Sequence, residues 1–455
     1  MNRREFIVGA AVAGASFSAL GRAAVGRGVS SVAPTEVLVA GGGPAGFIAA
    51  IAAARNGAKV TLVESFGFPG GMATAGLVGP ISKFNFGGKR VVGGIPVEFI
   101  VRLAACGGAI VDLPKGNVPF DVELYQRVAR EMLEEAGVHC LWQTSVCGEP
   151  EIDSDGNLVA ATLSTAGFLS RIEAKVFVDC TASGALVGHH GFGRLRSEKG
   201  LAQPLSLYFI LGGVDTKRLK VLFRTDDERS SNPVLRKALS RAVDEGRLES
   251  FGGPWAVWGS AMRPGFVSVN ATRAVGDVTD PEEVAAATAV LRRSVPVVVD
   301  VLRDAEPAFA DAWLDRTATM CGFRECRELI AVHRVTAKEL ESGVVFPDTV
   351  AFGAHPIDRH VGNSTEQQLT FLKRPYAIPF SALVSAKCPN LLAAGGLVAA
   401  EPQAFASMRV QAQCMAMGEA VGTAAAMCAR TRIKPRDLDV SGLIAKLRSQ
   451  KVYLG

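Results

Sequence analysis

No two cysteines in this sequence have CxxC spacing; the nine are scattered singly from Cys106 to Cys428. Cysteine-based metal sites therefore lack their ligand spacing, and no metal is expected. Each thiol reads as a small buried hydrophobe. Cys321 and Cys326 are closest, but five residues along an expected helix do not align them. An oxidising compartment would permit one disulfide, and the odd count leaves at least one thiol free. No block of lysine and arginine interleaved with aromatics occurs, and the net charge of +5 is small for 455 residues. Nucleic acid is thus not an expected partner. The sequence also lacks internal repeats, low-complexity linkers and a serine-hydrolase elbow, and no nucleophilic cysteine is marked by its surroundings.

What is present describes a packed globular protein: 48% hydrophobic residues, 20% charged and 49 glycines. At 455 residues two domains are expected. The first thirty residues differ from the rest. They open MNRREF, continue through the apolar, small-residue stretch 7–20 and reach GRAAVGRG. Arg3-Arg4 followed by Phe6 fits a twin-arginine export signal, so residues 1–32 are expected to send the protein to the periplasm or outside the cell. The apolar stretch is short of the roughly 20 residues that span a bilayer, so no stable membrane span is expected. Twin-arginine export carries folded proteins, which suits a protein loaded with its cofactor.

Residues 35–40 (TEVLVA) read as a strand, 44–56 as a helix closed by Gly57, and 59–64 (KVTLVE) as a second strand. This strand–helix–strand unit has the length of a parallel crossover. Between its first two elements lies Gly41-Gly42-Gly43-Pro44-Ala45-Gly46, a GxGxxG sequence. The first glycine permits the tight turn, the second a close approach of pyrophosphate, and the third the packing of helix on strand. Amides at the helix N-terminus then face the phosphate charge. Glu64 ends the second strand, 18 residues after Gly46, where a carboxylate can accept from a ribose diol. That acid favours FAD or NAD over NADP. Further on, 123–136 reads as an amphipathic helix, 138–146 as a strand and 151–164 as a hairpin. Residues 200–380 mix strands (LSLYFILGGV, GFVSVNAT) with helices, and 390–395 returns to a buried strand before a long helix over 410–428.

The run LVAGGGPAGFIAAIAAARNGAKVTLVESFGFPGGMATAGLVGP resembles the start of FAD-dependent oxidoreductases with a glutathione-reductase-like FAD fold, in the group carrying GG-x-x-T after the ribose acid. FVDCTASG (177–184), GFRECRELI (322–330), FPDTVAFGAHPIDRH (346–360) and the run 390–426 are similar to later segments of that group, in the same order. The resemblance implies that Gly41, Gly43, Pro44, Ala45 and Gly46 line the pyrophosphate and Glu64 the adenosine ribose. It places Gly70, Gly71, Met72 and Ala73 close to pyrophosphate or flavin, and the Val146 backbone at the adenine. Thr181 and Gly184 would pass near the dinucleotide, and Gly395 would sit by the ribityl chain. Ser407, Arg409 and Val410 would face the flavin's pyrimidine edge, where a helix dipole favours the reduced ring. The chain departs from the group with Cys-Thr-Ala-Ser-Gly after Asp179, Gly396 in place of a polar residue, and Phe405-Ala406 before Ser407.

Flavin carries the electrons, so the protein must place substrate and move a proton. His355 and His360, flanking Pro356-Ile357-Asp358, are the candidates for that proton, against a purely structural role. Arg324, beside Glu325 and Arg327 at an expected helix start, would meet a substrate carboxylate, the flavin or a buried ion-pair partner. No second GxGxxG lies between 190 and 390, so NAD(P)H is not the expected co-substrate. A quinone, a redox protein or oxygen would take the electrons.

The expected fold class is α/β, a Rossmann-type FAD-binding domain (33–195 and 376–430) with an inserted α+β substrate domain (196–375) and a C-terminal extension (431–455). The expected activity is hydride transfer between a small-molecule substrate and flavin N5. A flavin-dependent lyase or isomerase without net redox, or a binding protein stabilised by FAD, are the alternatives.

Overall fold

The computed structural model describes residues 30–111, 116–198, 201–223, 233–257, 259–362 and 364–455. All but the last three residues of the expected export segment lie outside this description. The first crossover is β1 (Thr35–Ala40), α1 (Pro44–Arg55) and β2 (Val60–Val63). Both strands are mostly apolar and almost wholly buried, as strands of a sheet covered on both faces are. Pro44 suits the first helical position, where no intrahelical N–H is needed. Next come α2 (Val122–Glu135) and β3 (His139–Leu141). The Asp121 carboxylate caps α2 by accepting from the amides of Glu123 and Leu124 at 3.0 and 3.1 Å. A meander of β4 (Thr144–Ile152), β5 (Leu158–Thr165) and β6 (Phe168–Asp179) follows.

A second group comprises β7 (Phe209–Gly212), β8 (Phe251–Val257), β9 (Val267–Thr272), α3 (Pro281–Ala305) and β10 (Trp313–Thr317). The chain then returns with β11 (Leu391–Ala393) and α4 (Gln411–Thr431). An eight-stranded sheet has the order β3-β2-β1-β6-β5-β4, with β11 and Ser30–Ser31 also paired to β6. The long β6 serves both parts: its residues 168–173 pair antiparallel with β5, and 177–179 pair in parallel with β11. A separate antiparallel sheet has the order β8-β9-β7-β10.

Helix α4 is buried nearly all round, which explains its uniform Ala, Met, Cys and Gly content. It crosses α1 so closely that a Cβ on Gly418 would lie 2.2 Å from the Ala45 carbonyl oxygen. A Cβ on Gly422 would lie 2.1 Å from that of Ala49. On the other side of α1, Phe47 meets Phe99 and Tyr125 edge-on, with ring centres 5.1 and 6.0 Å apart.

Two expected elements differ. Residues 138–146 form not one strand but β3 and β4, separated by a turn in which Gln143 has φ +51°. Residues 321–326 are irregular rather than helical, and Arg327–Leu329 is a strand antiparallel to Gly193–Leu195. The charges there pair across strands instead of along a helix. All nine cysteines are free thiols. No helix among the described residues is long and apolar enough to cross a membrane.

Candidate cofactor and substrate site

The turn between β1 and α1 is built for an anion. Gly41 has φ +89°, and a Cβ there would lie 2.8 Å from the Cys180 carbonyl oxygen. A Cβ on Gly46 would meet the Gly41 carbonyl oxygen at 1.7 Å, so helix and turn touch through bare backbone. Gly43 is the opposite case: a Cβ there meets nothing within 4 Å. Gly43 also caps α1 without a side chain, which leaves the first-turn amides facing outward. A diphosphate fits this cradle.

The turn opens into a cavity of about 780 Å³, within the range of ligand sites. Gly41, Gly43, Pro44, Ala45, Glu64 and Val146 form the wall at its dinucleotide end. Gly71, Met72, Thr181 and Gly395 form another stretch, and Arg409 and Val410 adjoin it at the start of α4. The remaining expected residues shape the wall from behind. Gly70, with φ +112°, donates its amide to the Gly42 carbonyl at 2.8 Å. Ala73 is fully buried in the helical turn Gly71–Ala73. Gly46 packs α1 on the turn, and the Gly184 amide donates to Thr181 Oγ1 at 3.1 Å. Ser407, inaccessible, donates to the His355 carbonyl at 2.5 Å.

Glu64 holds the turn itself. Its Oε2 accepts from the Gly42 amide at 2.6 Å, and Oε1 from Phe66 N and Ser65 Oγ at 2.8 and 2.9 Å. A carboxylate has about four acceptor positions, so roughly one is left for a ribose hydroxyl. Asp179 organises the next turn. Its Oδ1 accepts from Thr181 N and Oγ1, and its Oδ2 from the amides of Leu186 and Val187 at 2.8 and 2.9 Å. A buried Asp closing an apolar strand is the sequence signal for this role.

At the far end the second sheet contributes Trp255 and Asn270, and Tyr208 stands immediately before β7; Arg324, Asp358 and both expected histidines join them. Tyr208, Trp255 and Asn270 were not expected from the sequence. Asn270 Nδ2 donates to Tyr208 Oη at 2.7 Å. Behind them lies the buried Arg273, which was also missed; a lone arginine in the apolar run GFVSVNATRAV was its only signal.

The two histidines differ. His355 Nδ1 lies 2.8 Å from the Pro356 carbonyl, which can only accept. The proton is therefore assigned to Nδ1, leaving Nε2 an acceptor. In His360, Nε2 faces Asp358 Oδ2 at 3.5 Å and Nδ1 faces Arg273 Nη2 at 3.5 Å, so both nitrogens have partners. Burial, reinforced by the nearby Arg324 charge, pushes the His360 pKa down to about 3 and keeps its ring neutral. Burial alone would raise the Asp358 carboxyl, but His360 and Arg409 outweigh it and hold the pKa well below the usual range. Burial lowers Arg273 to about 10 and carries Arg324 well below its ordinary value, where Arg273 and Arg409 add repulsion.

The family model described as FAD dependent oxidoreductase matches residues 36–449. No curated protein matches the chain. Among solved structures, p-nitrophenol 4-monooxygenase PnpA from Pseudomonas putida DLL-E4 is 13% identical, with a TM-score of 0.46 over 91% of this chain and 85% of that one. The flavin-dependent brominase Bmp2 is 13% identical, with a TM-score of 0.44 over 92% and 83%. A geranylgeranyl bacteriochlorophyll reductase-like protein from Thermoplasma acidophilum is 12% identical, with a TM-score of 0.41 over 93% and 83%. The family match takes in both the dinucleotide turn and the polar far wall of the cavity, and the chain accordingly belongs to the FAD dependent oxidoreductase family, as an enzyme whose cofactor is FAD.

Proposed function

We propose that this enzyme oxidises a small organic substrate by hydride transfer to the flavin, and that the electrons leave to an acceptor other than NAD(P)H. The observation that carries the reading is the continuity of one cavity from the Gly41–Gly46 turn to the wall of Tyr208, Asn270, Arg324 and His355. When bound, FAD supplies a two-electron acceptor at N5.

The chain's own residues then have separate tasks. Gly43 and the first-turn amides of α1 receive the phosphates, and Glu64 takes a ribose hydroxyl with its remaining acceptor position. Gly70, Gly71, Met72, Ala73, Val146, Thr181, Gly184 and Gly395 shape or line the rest of the cofactor's bed. His355 Nε2 accepts the proton that a substrate hydroxyl releases as its carbon loses hydride. His360 is a positioning residue: its neutral ring holds Asp358 in place. Arg409 and Val410, at the N-terminus of α4, favour negative charge on the reduced flavin.

The finer likeness to the glutathione-reductase-like group rests on the order of the sequence motifs. Division into an FAD-binding domain (33–195 and 376–430) and a substrate domain (196–375) is supported by the two separate sheets. Export through a twin-arginine signal rests on Arg3-Arg4 and the apolar stretch after them. The absence of a second GxGxxG sequence supports a quinone, a redox protein or oxygen as acceptor.

Anaerobic stopped-flow with NADH and NADPH tests the acceptor claim directly. Persistent flavin absorbance is the expected result, whereas rapid bleaching by either would overturn it. Steady turnover of an artificial acceptor with a screened alcohol would support the hydride reading. Product formation without any acceptor reduction would replace it with a lyase or isomerase.

A further inference from the structure

Three arginines gather at the far end of the cavity, the buried Arg273 and the half-buried Arg324 and Arg409, and among the described residues none is paired with a carboxylate. Arg273 Nη1 donates to Ser206 Oγ, Asn270 Oδ1 and the Thr272 carbonyl at 3.0, 2.9 and 2.8 Å. Arg409 donates to the carbonyls of Asp358 and Ala406 and to Gln203 Oε1, at 2.9, 3.4 and 3.2 Å. Arg324 has a single partner, the Pro204 carbonyl. Buried charges are ordinarily paired, because removing them from water is costly.

Two carboxylates lie near, and both have other partners. Asp358 faces His360 at 3.5 Å and accepts from Gln367 Nε2 at 2.7 Å. Glu325 accepts from the Gln203 amide at 2.6 Å. Three guanidinium groups against two carboxylates leave one positive charge over. A guanidinium does not relieve that excess by losing its proton. Arg324, which touches neither carboxylate, lines the cavity together with Tyr208, Trp255 and Phe323. Tyr208 Oη already accepts from Asn270, so its own hydrogen is left to donate.

We propose that the substrate is a small organic carboxylate, its anionic end held by Arg324 and the Tyr208 hydroxyl and its apolar body lying against Trp255 and Phe323. This rests on the reading that flavin and substrate share the cavity. It accounts for a charge left over beside the aromatic residues Tyr208, Trp255 and Phe323 in the same cavity.

The test needs no turnover. The flavin-loaded full-length enzyme is titrated with acetate, propionate and benzoate, and separately with acetamide, propionamide and benzamide, following the oxidised flavin spectrum. At least one acid should bind about tenfold tighter than its amide, the difference expected for one charged contact. Arg324→Gln should lower that affinity about tenfold at unchanged FAD content, and Arg324→Lys should restore part of it. If no acid binds, if acids and amides bind alike, or if Arg324→Gln leaves acid affinity unchanged, the proposal fails. Loss of FAD from a folded Arg324→Gln protein would also overturn it, by assigning the guanidinium to the flavin. Should that variant not fold, the acid–amide comparison in the natural protein decides. Acid binding without any substrate-driven bleaching would sink the hydride reading and leave this one standing.

Discussion

Arg196 and Glu328 face each other at 3.0 Å with neither side chain accessible to solvent. Arg194 Nε and Arg334 Nη2 also reach Glu328 Oε1, at 2.7 and 2.9 Å. Arg196 in turn donates to the carbonyls of Ala400, Val398 and Gly396 at 2.6, 2.9 and 3.0 Å, and its guanidinium lies 3.6 Å from the Phe405 ring centre. The pair thus ties the 193–195/327–329 ribbon to the segment after β11 that borders the cavity.

Breaking one partner of such a pair leaves the other buried and uncompensated. Glu328→Gln should therefore cost roughly 3–5 kcal/mol of stability, measured by urea unfolding. The double variant Arg196→Met/Glu328→Met should lose less than Glu328→Gln, because the charges then left without Glu328, Arg194 and Arg334, reach solvent, whereas Arg196 does not.

Gly43 and Gly46 separate cofactor binding from folding. A methyl group on Gly46 collides with the Gly41 backbone, so Gly46→Ala should lower both melting temperature and FAD content. A methyl group on Gly43 points into open space, where phosphate belongs. Gly43→Ala should keep the apo-protein's melting temperature while weakening FAD about tenfold or more, close to 1.4 kcal/mol. Equal loss of FAD and stability in both variants would contradict this division.

His355→Gln should retain FAD and reduce kcat by about 10²–10⁴, the usual span for a lost general base. His360→Asn should instead raise KM and leave kcat nearly unchanged. An unchanged kcat in His355→Gln would move the base elsewhere.

Glu419 gives the fold a pH dependence of its own. It is buried within α4, where Oε2 accepts from the Ile95 amide at 2.9 Å and Oε1 has no partner. Burial raises its pKa to about 8. An unfolded chain releases this proton near pH ~4.3, so between there and about 8 the native state binds more protons and stability falls as pH rises. Above that window the loss is complete. Glu419→Gln should flatten this slope and be the more stable protein at pH 9, as urea titrations across the range would register.

The dinucleotide half was legible because its information is local. Glycines at 41, 43 and 46, a proline at the first helical position and an acid closing the second strand all lie within thirty residues. The far wall was not, because Trp255 and Asn270 come from different strands of one sheet and Tyr208 from the residue before a third, so they meet only after β7, β8 and β9 pair. Arg324 was picked out by its charge, but its neighbour Arg327 was assigned to a helix. The short strand that replaces it is specified by a partner more than a hundred residues away.

The crossing of α1 and α4 also bears on when the enzyme becomes itself. Residues 47–53 are wholly inaccessible in the finished protein, and α4 supplies much of their cover. That cover is synthesised more than 350 residues later. The nucleotide turn thus leaves the ribosome long before α4 closes over it, an arrangement of high contact order that slows folding. Until α4 arrives, α1 lacks the helix that packs against it at Ala45 and Ala49. Pulse-labelled hydrogen exchange during refolding should accordingly show the amides of α1 and α4 gaining protection together.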